Sequence, residues 1–132
     1  MSLKSRTGEA TLRLFPAHVA DGFPAVLARS RMIELMELAA ARLMRPHLGE
    51  AESSVSIEMQ VTHVAAATAG SMLRAVAAYA GITGRLHRFT INVFDESGLI
   101  GSAEHTRAVV IERRLLDVAR HGADKAGELL TA

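Results

Sequence analysis

Two side chains with acid–base capacity stand among apolar neighbours in this sequence: Glu37 and His63. Glu37 closes the run Arg31-Met32-Ile33-Glu34-Leu35-Met36-Glu37. At about 100° per residue it falls beside Ile33, Ala40 and Met44, away from the polar arc of Arg31, Glu34, Arg42 and Arg45. A carboxylate on a core-facing flank must be paired, hydrogen-bonded or neutralised. His63 continues the series Val55, Ile57, Met59, Val61. Taken singly, each reads as structural, Glu37 as an arginine's partner and His63 as a satisfied core histidine. Together, on a helix and a strand that must pack, they form an acid–base pair. His105 and Arg107 share a face of the last strand, where they either line the same site, bind a phosphate, or face solvent. His18, His47, His87 and His121 lie near turns or ends and read as surface residues.

Other chemistries lack their residues. There is no cysteine, which removes disulfides, zinc ribbons and thiol nucleophiles. The histidines are scattered, with no carboxylate at ligand spacing, so no metal site is expected. No glycine-rich phosphate loop and no Gly-x-Ser-x-Gly elbow occurs.

The elements that would position these groups follow from periodicity. Within 132 residues, one domain fits. Residues 9–15 alternate and suggest a first strand, and Pro16, Gly22 and Pro24 mark a loop. Ser30 suits a helix N-cap for a body at 32–43, where Met32, Leu35, Met36, Ala39, Ala40 and Leu43 recur at helical spacing. In 53–65, Val55, Ile57, Met59 and Val61 point one way, and Ser54, Ser56, Glu58, Gln60 and Thr62 the other. Residues 85–95 and 99–112 form a hairpin about Asp95-Glu96-Ser97-Gly98. The alanine-rich stretch 71–82 fits a helix by propensity. Its place between two strands, flanked by Gly70, Gly81 and Gly84, makes a strand of an antiparallel meander the more coherent reading. Residues 115–130 suggest a final helix. An antiparallel sheet wrapped around one long central helix is an α+β design.

Net charge is +1 with basic residues spread along the chain, so no nucleic-acid footprint is expected. No apolar run reaches the roughly 18 residues of a membrane helix, and the N-terminus lacks a secretory apolar core. The expected location is cytoplasmic.

Three motifs carry a family resemblance. Arg31 to Glu37 resembles the Met-Ile-x-Leu-Met-Glu helix start of hot-dog thioesterases related to fluoroacetyl-CoA thioesterase. Val61-Thr62-His63-Val64-Ala65-Ala66 resembles that family's strand in which a histidine is followed by alanines. Ile100-Gly101-Ser102-Ala103-Glu104-His105-Thr106-Arg107 is similar to its final strand, Gly-x-x-x-His-x-Arg. The resemblance covers roughly 9–112 of a single hot-dog domain, with 113–132 as a helical extension.

The resemblance implies an acyl-CoA thioesterase in which Glu37 and His63 are catalytic. The family threonine eight positions before the glutamate corresponds to Arg29. Ser30 beside it is the candidate to supply the hydroxyl, completing a catalytic set of Glu37, His63 and Ser30. A family glycine near the acyl group corresponds to Ser56. Arg29, Ser56, His105 and Arg107 become candidate substrate-binding residues. Glu37 would activate water or attack directly, and His63 would orient the water or protonate the leaving thiolate. No cofactor is implied, coenzyme A entering with the substrate. A homodimer with the site at its interface is implied. The alternative is an acyl-CoA or small-ligand binding protein of the same fold without hydrolysis. A hot-dog hydratase is a third reading, for which no Asp-x-x-x-x-His arrangement is present.

Overall fold

The computed structural model describes residues 6–13, 29–67 and 70–121. Alternating segments become strands β1 (Thr7–Arg13), β2 (Glu52–His63), β3 (Met72–Thr83), β4 (Leu86–Asp95) and β5 (Gly98–Ile111). The helices are α1 (Arg29–Met44), closed by a short 3-10 turn at Arg45–His47, and α2 (Glu112–His121). All strand pairings are antiparallel in the order β1-β3-β4-β5-β2, so β1 and β2 are the sheet edges. The sheet wraps around α1, the hot-dog arrangement that the sequence implied.

The segment 71–82 is strand, as the meander reading required. Leu73, Ala75 and Ala77 of β3 are fully buried beside Met36, Ala39 and Ala40 of α1 in one core cluster. Small side chains let the helix lie close on the sheet, and that packing outweighs alanine's helix propensity. The closest approach is at Gly8 of β1, where a Cβ would stand 2.7 Å from the Ala39 carbonyl and from the Leu43 Cβ. At the other end of α1, a Cβ on Gly101 would meet the Met32 sulfur at 2.5 Å. The β4–β5 turn is closed by Asp95, whose carboxylate accepts from the Ser97 and Gly98 amides at 2.8 and 3.1 Å. Gly98 takes a φ of 135°, open to glycine.

Three expectations change. α1 begins at Arg29, so Ser30 lies inside the first turn and not at the cap. The expected first strand spans Thr7–Arg13, with 14 and 15 outside the described residues, as are Pro16, Gly22, Pro24 and the helix beyond His121. The strict alternation of β2 also fails. Its register against β5 slips between Ser56 and Glu58, a bulge at Ile57. Met59, Val61 and His63 stand opposite His105, Ala103 and Gly101 on the inner face. Before the bulge the parity is reversed. Ser56 and Ser54, opposite Arg107 and Val109, join that inner face, and Val55 leaves it.

The two glycines separate two kinds of crowding. Gly8→Ala is expected to destabilise by about 1–3 kcal/mol, because helix backbone occupies the space a methyl group needs. Gly101→Ala is expected to cost less, because the flexible Met32 thioether can swing aside. Urea unfolding of both variants checks the order.

Candidate active site

Glu37 sits on a helix flank defined by contacts at both ends. Arg29, Ile33, Glu37 and Ala41 follow one another at i, i+4 spacing. Arg29 Nη2 donates to the Val61 carbonyl of β2 at 3.0 Å. Ala41 shares a cleft with Ser53 and Ser54 near the start of β2. The stripe therefore runs along β2 in the opposite direction, and half-buried Glu37 lies level with the middle of the strand, near Ser56. Glu34, one turn earlier, points to solvent and pairs with Arg31 at 2.9 Å.

Opposite Ser56 stands Arg107, 6% exposed, and next to it on the same face His105, 1% exposed. Their hydrogen bonds are internal. The Nδ1–H of His105 donates to the Glu58 carbonyl at 2.8 Å, since a carbonyl can only accept. Its Nε2 is then the acceptor for Arg107 Nη1 at 3.2 Å. Arg107 Nε and Nη2 donate to the Ser54 hydroxyl and carbonyl, each at 3.0 Å. Burial pushes His105 below the ordinary histidine range, against the Glu58 bond; the Arg107 charge lowers it further, and Glu37 raises it. Burial also lowers Arg107, with the Glu37 charge opposing. His105 is neutral and Arg107 remains a cation. Glu37 thus acts electrostatically on both groups.

His87, read from sequence as a surface residue, is buried. It stands opposite Arg107 on the inner face, and its Nδ1 shares a 2.9 Å hydrogen bond with the Tyr79 hydroxyl. Burial lowers its pKa.

Among the described residues, the groove that His63 lines does not include Glu37 of the same chain. His63 ends β2 and lines an open groove with Val64, Ala65 and Ala66. At about 3.3 Å per residue, the strand between the level of Ser56 and His63 spans roughly 20 Å. The Nε2 of His63 is buried without a hydrogen-bond partner among the described residues. Ser30 is exposed in the first turn of α1, beside Arg29 and nearer to the His63 end than Glu37 is. Ser56 is exposed on the inner face of the edge strand.

Sequence reasoning missed Ser54 and the Glu58 carbonyl as partners of the pair. The available signal was the pair itself: two polar residues on the inner face of β5 require acceptors from a neighbouring strand. Among the described residues, no group of three or more histidine or acidic side chains gathers to hold a metal ion. No helix there is long and apolar enough to cross a membrane.

Comparison with known proteins adds a family. Residues 13–113 match the family described as fluoroacetyl-CoA-specific thioesterase. The fluoroacetyl-CoA thioesterase of Streptantibioticus cattleyicolor is 36% identical over 88 residues, covering 67% of this chain and 63% of that protein. This match spans less than two thirds of that relative's length. A point mutant of the fluoroacetyl-CoA thioesterase solved with acetyl-CoA superposes with a TM-score of 0.82 at 27% identity, covering 91% of this chain and 97% of that one. A Thermus thermophilus hypothetical protein of the thioesterase superfamily reaches 0.81 at 22% identity over 86% and 88% of the two chains, a likeness of fold.

The buried histidines make stability depend on pH. A histidine in the unfolded chain titrates at about 6.5. The folded values of His87 and His105 are lower, so the unfolded chain binds more protons as pH falls through that window. Stability is therefore expected to be full above that value and to decline as pH drops from 7.5 to 5. Melting temperatures across the range check this, and His105→Asn should flatten the slope.

Proposed function

The chain belongs to the fluoroacetyl-CoA-specific thioesterase family, and on that premise we propose that it hydrolyses a small acyl-CoA thioester to the free acid and coenzyme A. One observation carries the reading: Glu37, at the position matching the family's glutamate, is a half-buried carboxylate on the flank of α1 that runs along β2. Thioester hydrolysis requires a base for water or a nucleophile, a donor for the carbonyl oxygen and a proton for the leaving thiolate. Glu37 takes the proton from water as it attacks the carbonyl carbon, or attacks directly. The start of α1 offers backbone N–H groups to the developing oxyanion, and the Ser30 hydroxyl adds a donor. His63 orients the water and returns a proton to the thiolate.

The separation of Glu37 and His63 along β2 supports a site shared between two copies. β2 is an edge strand, and an open edge of this length invites pairing. Two-fold antiparallel pairing of β2 with its copy, centred on Gln60 and with the bulged Ile57 left unpaired, sets the partner's His63 opposite Ser56 and level with Glu37. Both residues lie on the inner face, so the ring approaches the carboxylate from the same side of the joined sheet. The unpartnered Nε2 of His63 then faces the site. We therefore propose a homodimer with two composite sites.

A second reading is a binding protein that takes an acyl-CoA without cleaving it. The observation in its favour is Arg29 at the family's threonine position, its guanidinium committed to the Val61 carbonyl.

Steady-state assays on short, branched and aromatic acyl-CoAs decide between them. Turnover is expected, and His63→Ala and Glu37→Gln should each reduce it by about 10²–10⁴-fold. Mixing those two inactive variants tests the shared site. Half of the dimers become mixed and each regains one of two sites, so about a quarter of wild-type activity should return. No recovery on mixing, or a monomer in sedimentation, removes the composite site. Without turnover in the wild type, gain of hydrolysis in Arg29→Thr would point to a decayed site, and continued silence to the binding protein.

A further inference from the structure

Helix α1 carries two groups able to act on a thioester, Arg29 and Glu37, separated by about 12 Å of helix rise. Side chains on a helix lean toward its N-terminus, so Arg29 reaches away from the Glu37 of its own chain. Its contact shows where it arrives: Arg29 Nη2 donates to the Val61 carbonyl at 3.0 Å. The Thr62 carbonyl faces β5, so that of Val61 faces out of the β2 edge, and the exposed guanidinium stands at the rim of the sheet. From Val61 to His63 is about 7 Å along the strand. Arg29 is therefore a neighbour of the His63 end of β2 and not of its own Glu37. The bond to Val61 engages one of the five N–H donors of a guanidinium and fixes the group in place.

We propose that Arg29 is a catalytic residue of the composite site, contributed by the same chain as His63 and facing the partner's Glu37. The inference rests on the dimer and the hydrolysis of the proposed function. In that pairing Val61 stands opposite the partner's Met59, and His63 opposite the partner's Ser56 at the level of the partner's Glu37. The guanidinium then lies over the seam between the two β2 strands, where it donates to the thioester carbonyl oxygen. The partner's Glu37 takes a proton from water as the water oxygen bonds to the carbonyl carbon. The carbonyl electron pair moves onto the oxygen, and the negative charge develops against Arg29. That pair returns as the C–S bond breaks, and His63 passes a proton to the thiolate. A cation already held by a backbone carbonyl needs no reorganisation when this charge appears. Arg29 and Glu37 of one helix thus belong to the two different sites of the dimer.

Mixed dimers test which site Arg29 serves. Arg29→Ala alone should lower kcat by about 10²–10³-fold, the usual cost of losing an oxyanion donor. Two chains are co-expressed with different tags and purified as the mixed dimer. Arg29→Ala paired with Glu37→Gln keeps one site whole, so about half of wild-type activity should return. Arg29→Ala paired with His63→Ala spoils both sites and should stay as inactive as its parents. The reverse pattern assigns Arg29 to its own Glu37 and overturns the proposal, as does recovery in neither pair. If Glu37→Gln with His63→Ala also fails to recover, the composite site itself falls, and Arg29 with it. A ketone analogue of acetyl-CoA, with a methylene between sulfur and carbonyl, separates catalysis from bracing of the strand. Wild type should prefer it to coenzyme A, and Arg29→Ala should reduce that preference about 10-fold. Equal weakening of both ligands shows a merely structural role and overturns the proposal. Where the wild type turns over no acyl-CoA, the proposed function fails, and the analogue still decides whether Arg29 meets the carbonyl. If Arg29→Ala does not fold or dimerise, Arg29→Lys replaces it in each measurement, with a smaller loss expected because charge is kept without the fork.

Discussion

A guanidinium can be buried only if its N–H groups find acceptors, and much of the functional half of this molecule follows from meeting that demand for Arg107. Arg107 lies on the inner face of β5, and the neighbouring strand on that side is the edge strand β2. A strictly alternating β2 with Met59 facing inward would present Ile57 and Val55 to the guanidinium. The bulge at Ile57 changes the parity and presents Ser56 and Ser54 instead. The local cost is an interrupted ladder and an isoleucine 42% exposed. Hydrogen bonds to a charged group contribute about 1.5–3 kcal/mol each, enough to offset such a defect.

The same arrangement leaves the two halves of the inner face unequal. α1 packs closely on β1 and β3, where Gly8, Ala10, Ala75 and Ala77 let it approach. Toward β5 and β2 its flank is only half-buried, and the polar residues gather there. Glu37, Ser56 and His63 all lie along this less covered side, with His105 and Arg107 beneath. Apolar packing thus secures one half of the fold, and a polar network tied to an edge strand shapes the other. Any change in how that edge is paired reaches the network within one strand, through Ser54 and the Glu58 carbonyl.

Much of this was readable from the sequence, and the omissions have physical causes. The amphipathic period of α1 placed Glu37 on the correct flank, and the Asp95–Gly98 turn located a hairpin. Flanking glycines identified β3 against its own helix propensity. The bulge escaped notice because Ile57 fits the alternation of Val55, Met59 and Val61. An apolar residue in phase gives no hint that it is the one left over. His87 was misread for its position near the start of β4, although the strand was correctly placed. Opposite Arg107, its ring is covered by the same packing. Periodicity also gives faces and not levels, so it could not show that Glu37 and His63 lie far apart along one strand.

Arg29 joins the edge, the helix start and the candidate site. A Cβ on Gly101 would stand 3.4 Å from the Thr62 carbonyl, so that carbonyl faces β5. Successive carbonyls of a strand point in opposite directions, so the Val61 carbonyl faces out of the edge, where Arg29 meets it. The Arg29 guanidinium ties the helix start to the strand two residues before His63. The bond uses one lone pair of a carbonyl that has two, which leaves the other for a strand added to the edge. Substituting arginine for threonine therefore need not abolish pairing of β2 with a second copy. It exchanges a free hydroxyl beside the site for a fixed cation, and a fixed cation favours the anionic coenzyme whether or not the thioester is cleaved.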